Sequence, residues 1–381
     1  MKEIIFFSGT RADYGLLKPL ILYFKQKKIK TTLVTSSHHN LSKFGSTEYE
    51  ITQDKIKSIF SPTIKLKNTS LENIFDVFTN SSNEYFHFLK KNKPDSIFIL
   101  GDRYEVYAFA IAAYFLGIPI IHMHGGEVTQ AAFDEGIRHS ISKFSNLHFV
   151  IHSGYKNRLV LMGEAPNSIH NVGSTACEII RNKKFQTLNV FRKRYKLKKL
   201  KTILVTFHPE TKSFIDIKKQ IKILLFSLKK INNVNIVFTY SNSDTEGMYF
   251  NEQIEKFKLN KENVLVFKSM GQDIYWNFLK HSDLVVGNSS SGIIEAPMLK
   301  TITLNIGDRQ KGRFFGKSIF QSKLQKKDII KKINKLLIFK KLKFKNAFYK
   351  KDTTKKIYKI VHQFLKKTKI NKKFYDFKKH Y

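Results

Sequence analysis

The feature that most constrains this chain is an alternation in which short apolar runs each lead into a polar loop and then a longer helical stretch. Parallel neighbouring strands need a long connection, and a helix supplies it, so the pattern specifies an α/β fold with parallel sheets. Residues 4–7 read as the first strand, followed by the loop 8–15 and an amphipathic helix to about Gln26. Residues 31–34, 96–100, 118–123 and 147–151 read as further strands, and 104–116 as a helix rich in Ala and aromatics. The pattern weakens over the basic stretch 181–201, read as a linker or an exposed helix. A second series then begins. Strands are expected at 202–207, 235–239, 264–267 and 284–286, helices at 214–231 and 272–280, and a Lys-rich helix from about Lys323. The expected architecture is two Rossmann-like domains facing each other across a cleft, 1–175 and 176–360. The Lys/aromatic-rich tail 361–381 would be free to pack back on the first domain.

Composition removes several alternatives. At 381 residues the chain exceeds one ordinary core, and 42% apolar residues can bury two. No apolar run approaches the ~18–20 residues of a membrane helix, and none at the start resembles a signal-peptide core. One cysteine, Cys177, cannot form an internal disulfide and fits a reducing cytoplasm. Lys and Arg total 68 against 30 acids, a net charge of +38 that would suit a nucleic-acid or anionic-surface binder. That excess, however, is nearly all dispersed lysine rather than a patch. The nine arginines are more selective: Arg11, Arg103, Arg138, Arg309 and Arg313 all fall in Gly- or acid-containing motifs. There a planar guanidinium suits a bidentate contact to phosphate or carboxylate.

The motifs fall at strand ends, where parallel α/β sheets bind ligands. The stretch 100–139 concentrates Asp102, Arg103, Glu105, His122, His124, Glu127, Asp134, Glu135, Arg138 and His139 in a chain short of carboxylates. Gly9-Thr10-Arg11 suits anion binding at a helix start, but it lacks the spacing of a dinucleotide fingerprint. Gly287-Asn288-Ser289-Ser290-Ser291-Gly292 offers amides and hydroxyls for a diphosphate, with Glu295 one turn on, where it could accept from ribose hydroxyls. His208 ends a strand, and Arg309 follows another, where it could complete the anion site. His122 and His124 alternate as on one strand face, which would suit zinc. With no HExxH or CxxC and an isolated cysteine, no metal is expected. Asp134 and Arg138, spaced i, i+4, read as a helix pair.

Together these segments resemble the hydrolysing UDP-N-acetylglucosamine 2-epimerases. The resemblance is carried by Gly9–Gly15, Gly101–Glu105, His122–Glu127, Asp134–His139, Phe207–Thr211, Gly287–Glu295 and Asn305–Arg313, in order over about residues 1–320, and the tail resembles the bacterial sialic-acid branch. It implies a glycosyltransferase-B type fold, a homo-oligomer (dimer or tetramer), and no cofactor. It further implies that UDP-N-acetylglucosamine and water give N-acetylmannosamine and UDP through a glycal intermediate. Motif by motif, Asp102, Glu127, Asp134 and His208 take the acid/base and sugar positions, with Arg138 and His139 orienting the carboxylates. Arg11, Arg103, Ser289, Ser290, Ser291, Glu295 and Arg309 take the UDP positions, with Asn242 as a weaker match. Where some relatives carry Glu, this chain has His124, so the proton shuttle falls to His124 or to Glu127. Related hydrolases act on UDP- or GDP-linked N,N'-diacetylbacillosamine.

Overall fold

A computed structural model describes residues 2–40, 48–56, 58–64, 66–241, 246–339, 345–366 and 372–376, with side chains omitted at 11, 40 and 48–50. It contains two parallel sheets. The first has strands β1 (Glu3–Ser8), β2 (Lys30–Thr35), β3 (Ser58–Phe60), β4 (Ser96–Leu100), β5 (Ile120–Met123), β6 (Leu147–Val150) and β7 (Ile169–Asn171). Their spatial order is β3-β2-β1-β4-β5-β6-β7. The second has β8 (Lys201–Thr206), β9 (Val234–Thr239), β10 (Val264–Phe267), β11 (Leu284–Gly287), β12 (Thr303–Ile306) and β13 (Ile319–Ser322), ordered β10-β9-β8-β11-β12-β13.

Each sheet reverses its winding once. In the first sheet the reversal lies between β1 and β4, and in the second between β8 and β11. Loops leaving such neighbouring strands diverge to opposite faces and open a crevice at the carboxyl ends. The loops concerned carry Gly9-Thr10, Gly101-Asp102-Arg103, Phe207-His208 and Asn288–Ser291. The fold therefore gathers four motifs that are far apart in sequence.

The strands are apolar on both faces because helices cover both. Ile5, Phe7, Ile97 and Ile99 pack under the helices Leu71–Asn92 and Tyr104–Phe115, while Ile4, Phe6 and Phe98 face the helix Arg11–Gln26. In the second half Ile203, Val205, Ile236 and Val286 belong to one core layer and Leu204, Val237 and Val285 to the other. The stretch read as a linker or an exposed helix holds a helix, Leu188–Arg194, whose buried residue Phe191 packs against Phe278. β3, β7 and the helix Leu71–Asn92 were not expected; the two strands are three-residue edges with little apolar pattern to betray them.

The last described helix returns to the first half. The helix Thr353–Leu365 places Ile357, Val361, Phe364 and Leu365 in the core beside β1 and the helix Arg11–Gln26. The return to the first half is under way by Phe348, whose carbonyl accepts from Ser174 N–H at 2.8 Å and whose ring packs with Tyr155 and Ile169, ahead of residue 361. Beyond it, Lys372 donates to the carbonyls of Ser142, Lys143 and Ser145 at 2.6–3.1 Å and meets Glu164 at 2.6 Å. It caps the C-terminal end of the helix Asp134–Phe144. Among the described residues, no helix is long and apolar enough to cross a membrane.

Candidate active site

A cavity of about 390 Å³ lies between the carboxyl ends of the two sheets, lined from both halves of the chain. In the first half, Gly101 turns the chain out of β4 at φ +85° and delivers Asp102 and Arg103 to the cleft. Asp102 is bound by Nη2 of Arg138, which also donates to Thr129 Oγ1 at 2.9 Å. Arg138 is almost fully buried, and its Nε and Nη1 make no hydrogen bond. Burial, then the neighbouring guanidiniums of Arg313 and Arg309, push its pKa well below the usual arginine range. Three cations held this close in low dielectric favour an anion among them.

Arg138 therefore pairs with Asp102 rather than with Asp134, as the i, i+4 spacing had suggested. Asp134 opens the helix Asp134–Phe144 and lines the cleft, with Arg309 Nη2 4.0 Å from its carboxylate. His139 does not line the cavity. It faces Glu135 at 3.2 Å, and Glu135 in turn accepts from the backbone N–H of Thr129. Any effect of His139 on the cleft passes through that pair. Arg138 and His139 are consecutive on the helix, so their side chains point about 100° apart, and only Arg138 faces the site.

His122 and His124 do not share a strand face. β5 ends at Met123, and His124 takes the left-handed conformation at φ +70°. His122 stays in the sheet, fully buried, with Nε2 2.8 Å from the Gly101 carbonyl; burial pulls its pKa to about 3, so the ring is neutral and donates. His124 instead turns into the cleft. Its Nδ1 lies 2.6 Å from Glu127 Oε1, and its buried Nε2 makes no hydrogen bond. Glu127 is itself held by Arg313 Nη1 at 2.9 Å. Burial opposes ionisation of Glu127, but Arg313 and then His124 outweigh it and hold the carboxyl below its ordinary range. The pair is thus an oriented imidazole backed by an ionised carboxylate. This is the arrangement that fixes a tautomer and leaves Nε2 free to exchange protons.

The second half supplies the opposite wall. Gly287, at φ +143°, has no room for a side chain, because a Cβ would sit 1.9 Å from the Thr206 carbonyl oxygen. That close approach lets β11 run directly into Ser289, Ser290 and Ser291, all lining the cavity. Ser291 is tied to the Tyr275 hydroxyl and lies 3.2 Å from Ser289 Oγ. Glu295 follows, accepting from Trp276 Nε1 at 2.9 Å, and burial pushes its carboxyl up to about 7. His208 donates its backbone N–H to Asn288 Oδ1 at 2.7 Å, with its ring 3.3 Å from Ser241 Oγ. Arg309 donates its backbone N–H to Glu210 at 2.9 Å and its Nη1 to the Asn288 carbonyl at 3.3 Å, placing its guanidinium beside the Ser-rich turn.

Three residues expected on the nucleotide side are engaged elsewhere or lie outside the described residues. Arg103 lines the cleft from the first half, but its planar fork grips Glu105 through two 3.1 Å bonds. The Arg11 side chain and Asn242 lie outside the described residues. Among the described residues no cluster of three or more His, Cys, Asp or Glu is placed to hold a metal. Sequence reading gave Arg313 a motif but no role, and it missed Thr129 and Trp276. For Arg313 the signal was its type, an arginine kept in a lysine-rich chain.

Comparison with known proteins gives the same direction. The family model described as UDP-N-acetylglucosamine 2-epimerase matches residues 23–362. The chain is 36% identical to the polysialic acid biosynthesis protein P7 of Escherichia coli over 88% of this chain and 86% of that one. It is 35% identical to a GDP/UDP-N,N'-diacetylbacillosamine 2-epimerase (hydrolyzing) of Campylobacter jejuni, over 86% of each. The fold matches the crystal structure of UDP-GlcNAc 2-epimerase from Neisseria meningitidis bound to UDP-GlcNAc. That match has a TM-score of 0.79 and 19% identity, and covers 95% of this chain and 100% of the other. The chain belongs to the UDP-N-acetylglucosamine 2-epimerase family.

Proposed function

We propose that this chain is a hydrolysing 2-epimerase that converts UDP-N-acetylglucosamine and water to N-acetylmannosamine and UDP, a step feeding sialic-acid synthesis. The observation that carries the reading is one cleft holding an oriented His–Glu pair and two carboxylates beside a buried cluster of guanidiniums. The proton on sugar carbon 2 is weakly acidic, so its removal must be coupled to departure of the diphosphate. His124, backed by Glu127, exchanges a proton on one face of carbon 2, and the carboxylates Asp102 and Asp134 serve the other. The nucleotide side consists of Ser289, Ser290, Ser291, Glu295 and Arg309, with Arg138 adding its unpaired N–H groups toward the leaving diphosphate. His208 borders the sugar. Elimination breaks the bonds from carbon 1 to the diphosphate oxygen and from carbon 2 to hydrogen, giving the glycal and UDP. Water then adds at carbon 1, and carbon 2 takes a proton on the opposite face.

A second reading keeps this chemistry but changes the sugar to N,N'-diacetylbacillosamine, which the name of the Campylobacter relative carries. The test is the product spectrum from UDP-N-acetylglucosamine and from UDP- and GDP-linked N,N'-diacetylbacillosamine. Free N-acetylmannosamine with stoichiometric UDP is the expected result. Turnover of a bacillosamine donor alone selects the second reading. A product still attached to its nucleotide, or no turnover of any donor, rejects hydrolytic epimerisation.

A further inference from the structure

We propose that Arg313 is a positioning residue that couples nucleotide occupancy in the second half of the chain to the His124–Glu127 pair in the first; the inference rests on the reading above. The loop after β12 touches both. At its start, Arg309 and Gln310 Nε2 both donate to the carbonyl of Asn288, the residue before the serines, at 3.3 and 2.8 Å. Successive tight turns follow, from Lys311 N–H to Asp308 and from Arg313 N–H to Gln310, at 2.9 and 3.2 Å. They leave little slack between the nucleotide-side arginine and Arg313. The far end docks on the other half. Gly312 sits so close to Val128 that a Cβ would lie 2.7 Å from its Cγ1, and Phe314 stacks on His152 at 4.5 Å.

Arg313 uses every direction of its fork. Nε donates to the Val128 carbonyl at 3.0 Å, Nη1 meets Glu127 at 2.9 Å, and Nη2 reaches Thr129 Oγ1 at 3.5 Å. Thr129 Oγ1 is the same atom that Arg138 uses, so the fork also touches the support of Asp102. A lysine could satisfy one of these acceptors but not all three. A plain strut between the halves could use any exposed pair. Here the contact goes to the buried carboxylate that orients the candidate acid/base imidazole. The groups facing Glu127 are His122, His124, Arg313 and the Tyr155 hydroxyl. Arg313 is the permanent cation among them. With the loop drawn onto a bound diphosphate, Arg313 holds Glu127 ionised and directed at Nδ1 of His124. With the loop withdrawn, Glu127 loses its strongest counter-charge.

The test compares Arg313→Gln and Arg313→Lys with the parent enzyme, each first checked for an unchanged far-UV spectrum and unfolding midpoint. In Arg313→Gln, kcat should fall by about 10²-fold, the scale of a positioned acid/base group. KM and the Kd for UDP should stay within about 3-fold, because the residue acts through Glu127 and not on the nucleotide. The acid limb of the kcat profile should move to higher pH, since removing Arg313 removes what lowers Glu127, and Arg313→Lys should recover part of both effects. A separate arm adds UDP and follows the ring ¹⁵N resonances of His124. UDP should shift them in the parent but not in Arg313→Gln. An unchanged pH profile, a kcat loss matched by an equal loss of UDP affinity, or a UDP-induced His124 shift that survives in Arg313→Gln would each overturn the coupling. A parent that turns over no nucleotide sugar, yet shows a UDP shift abolished by Arg313→Gln, would reject the functional reading and leave the coupling standing.

Discussion

The most quantitative consequence of this site concerns Glu295. Its carboxyl sits behind the Ser-rich turn with the indole N–H of Trp276 as its bonded donor, and burial raises its pKa to about 7. In the free protein it is therefore about half ionised at neutral pH. Ribose hydroxyls donating to it favour the anion, so nucleotide binding lowers this pKa and releases a proton. Affinity must then rise with pH through about 7. If only the ionised form binds, about one molecule in eleven is competent at pH 6 and ten in eleven at pH 8. Apparent affinity should change about tenfold, or ~1.4 kcal/mol, over that range. Titration calorimetry with UDP in buffers of different ionisation enthalpy should show about half a proton released at pH 7. Glu295→Gln should bind more weakly and lose this component, and comparison with the parent cancels the titration of the UDP phosphate itself. Equal pH dependence and equal proton release in the two proteins would refute the assignment of Glu295 to the ribose.

Two further predictions follow from named contacts. Asp102→Asn removes the charge that Arg138 holds and withdraws one candidate acid/base carboxylate; UDP release should drop about 10²–10⁴-fold while the circular-dichroism spectrum is retained. At the other end of the same helix, burial works against Glu164, but bonds from His148, Lys143 and Lys372 hold its carboxyl down to about 2. Its stabilisation is complete above the ordinary carboxylate pKa of 4.5 and fades as pH falls toward 2. Lys372→Met should lower the urea midpoint at pH 7 by the equivalent of about 1–2 kcal/mol, with the gap to the parent narrowing in acid; an unchanged midpoint would show that the tail does not clamp the helix.

Much of the architecture was legible because it follows from local physics. β4 and β10 fall at the expected residues, since a strand covered on both faces is a continuous apolar run bounded by turn residues. The start of the helix Ile217–Lys229 was placed too early, at 214, because Asp216 accepts from Lys219 N–H and caps the helix there. The short edges β3 and β7 were missed because their pattern depends on the neighbouring strand rather than on their own sequence.

The sequence by itself determined the residue types and the strand ends on which they stand: Asp102 and Arg103 after β4, the serines after β11, Arg309 after β12. Only the tertiary structure decided who partners whom. The i, i+4 rule favoured Asp134 for Arg138, yet the fold brings Asp102 from another loop to the same guanidinium. Strand alternation grouped His122 with His124, but β5 ends at Met123, before His124, and the left-handed turn at His124 separates a neutral buried ring from one facing the cleft. Arg313 lies 186 positions from Glu127 in the chain and 2.9 Å from it in space. Such pairings are set by where parallel strands reverse their order and by which half the last helix returns to. Those are long-range facts, and no local spacing encodes them.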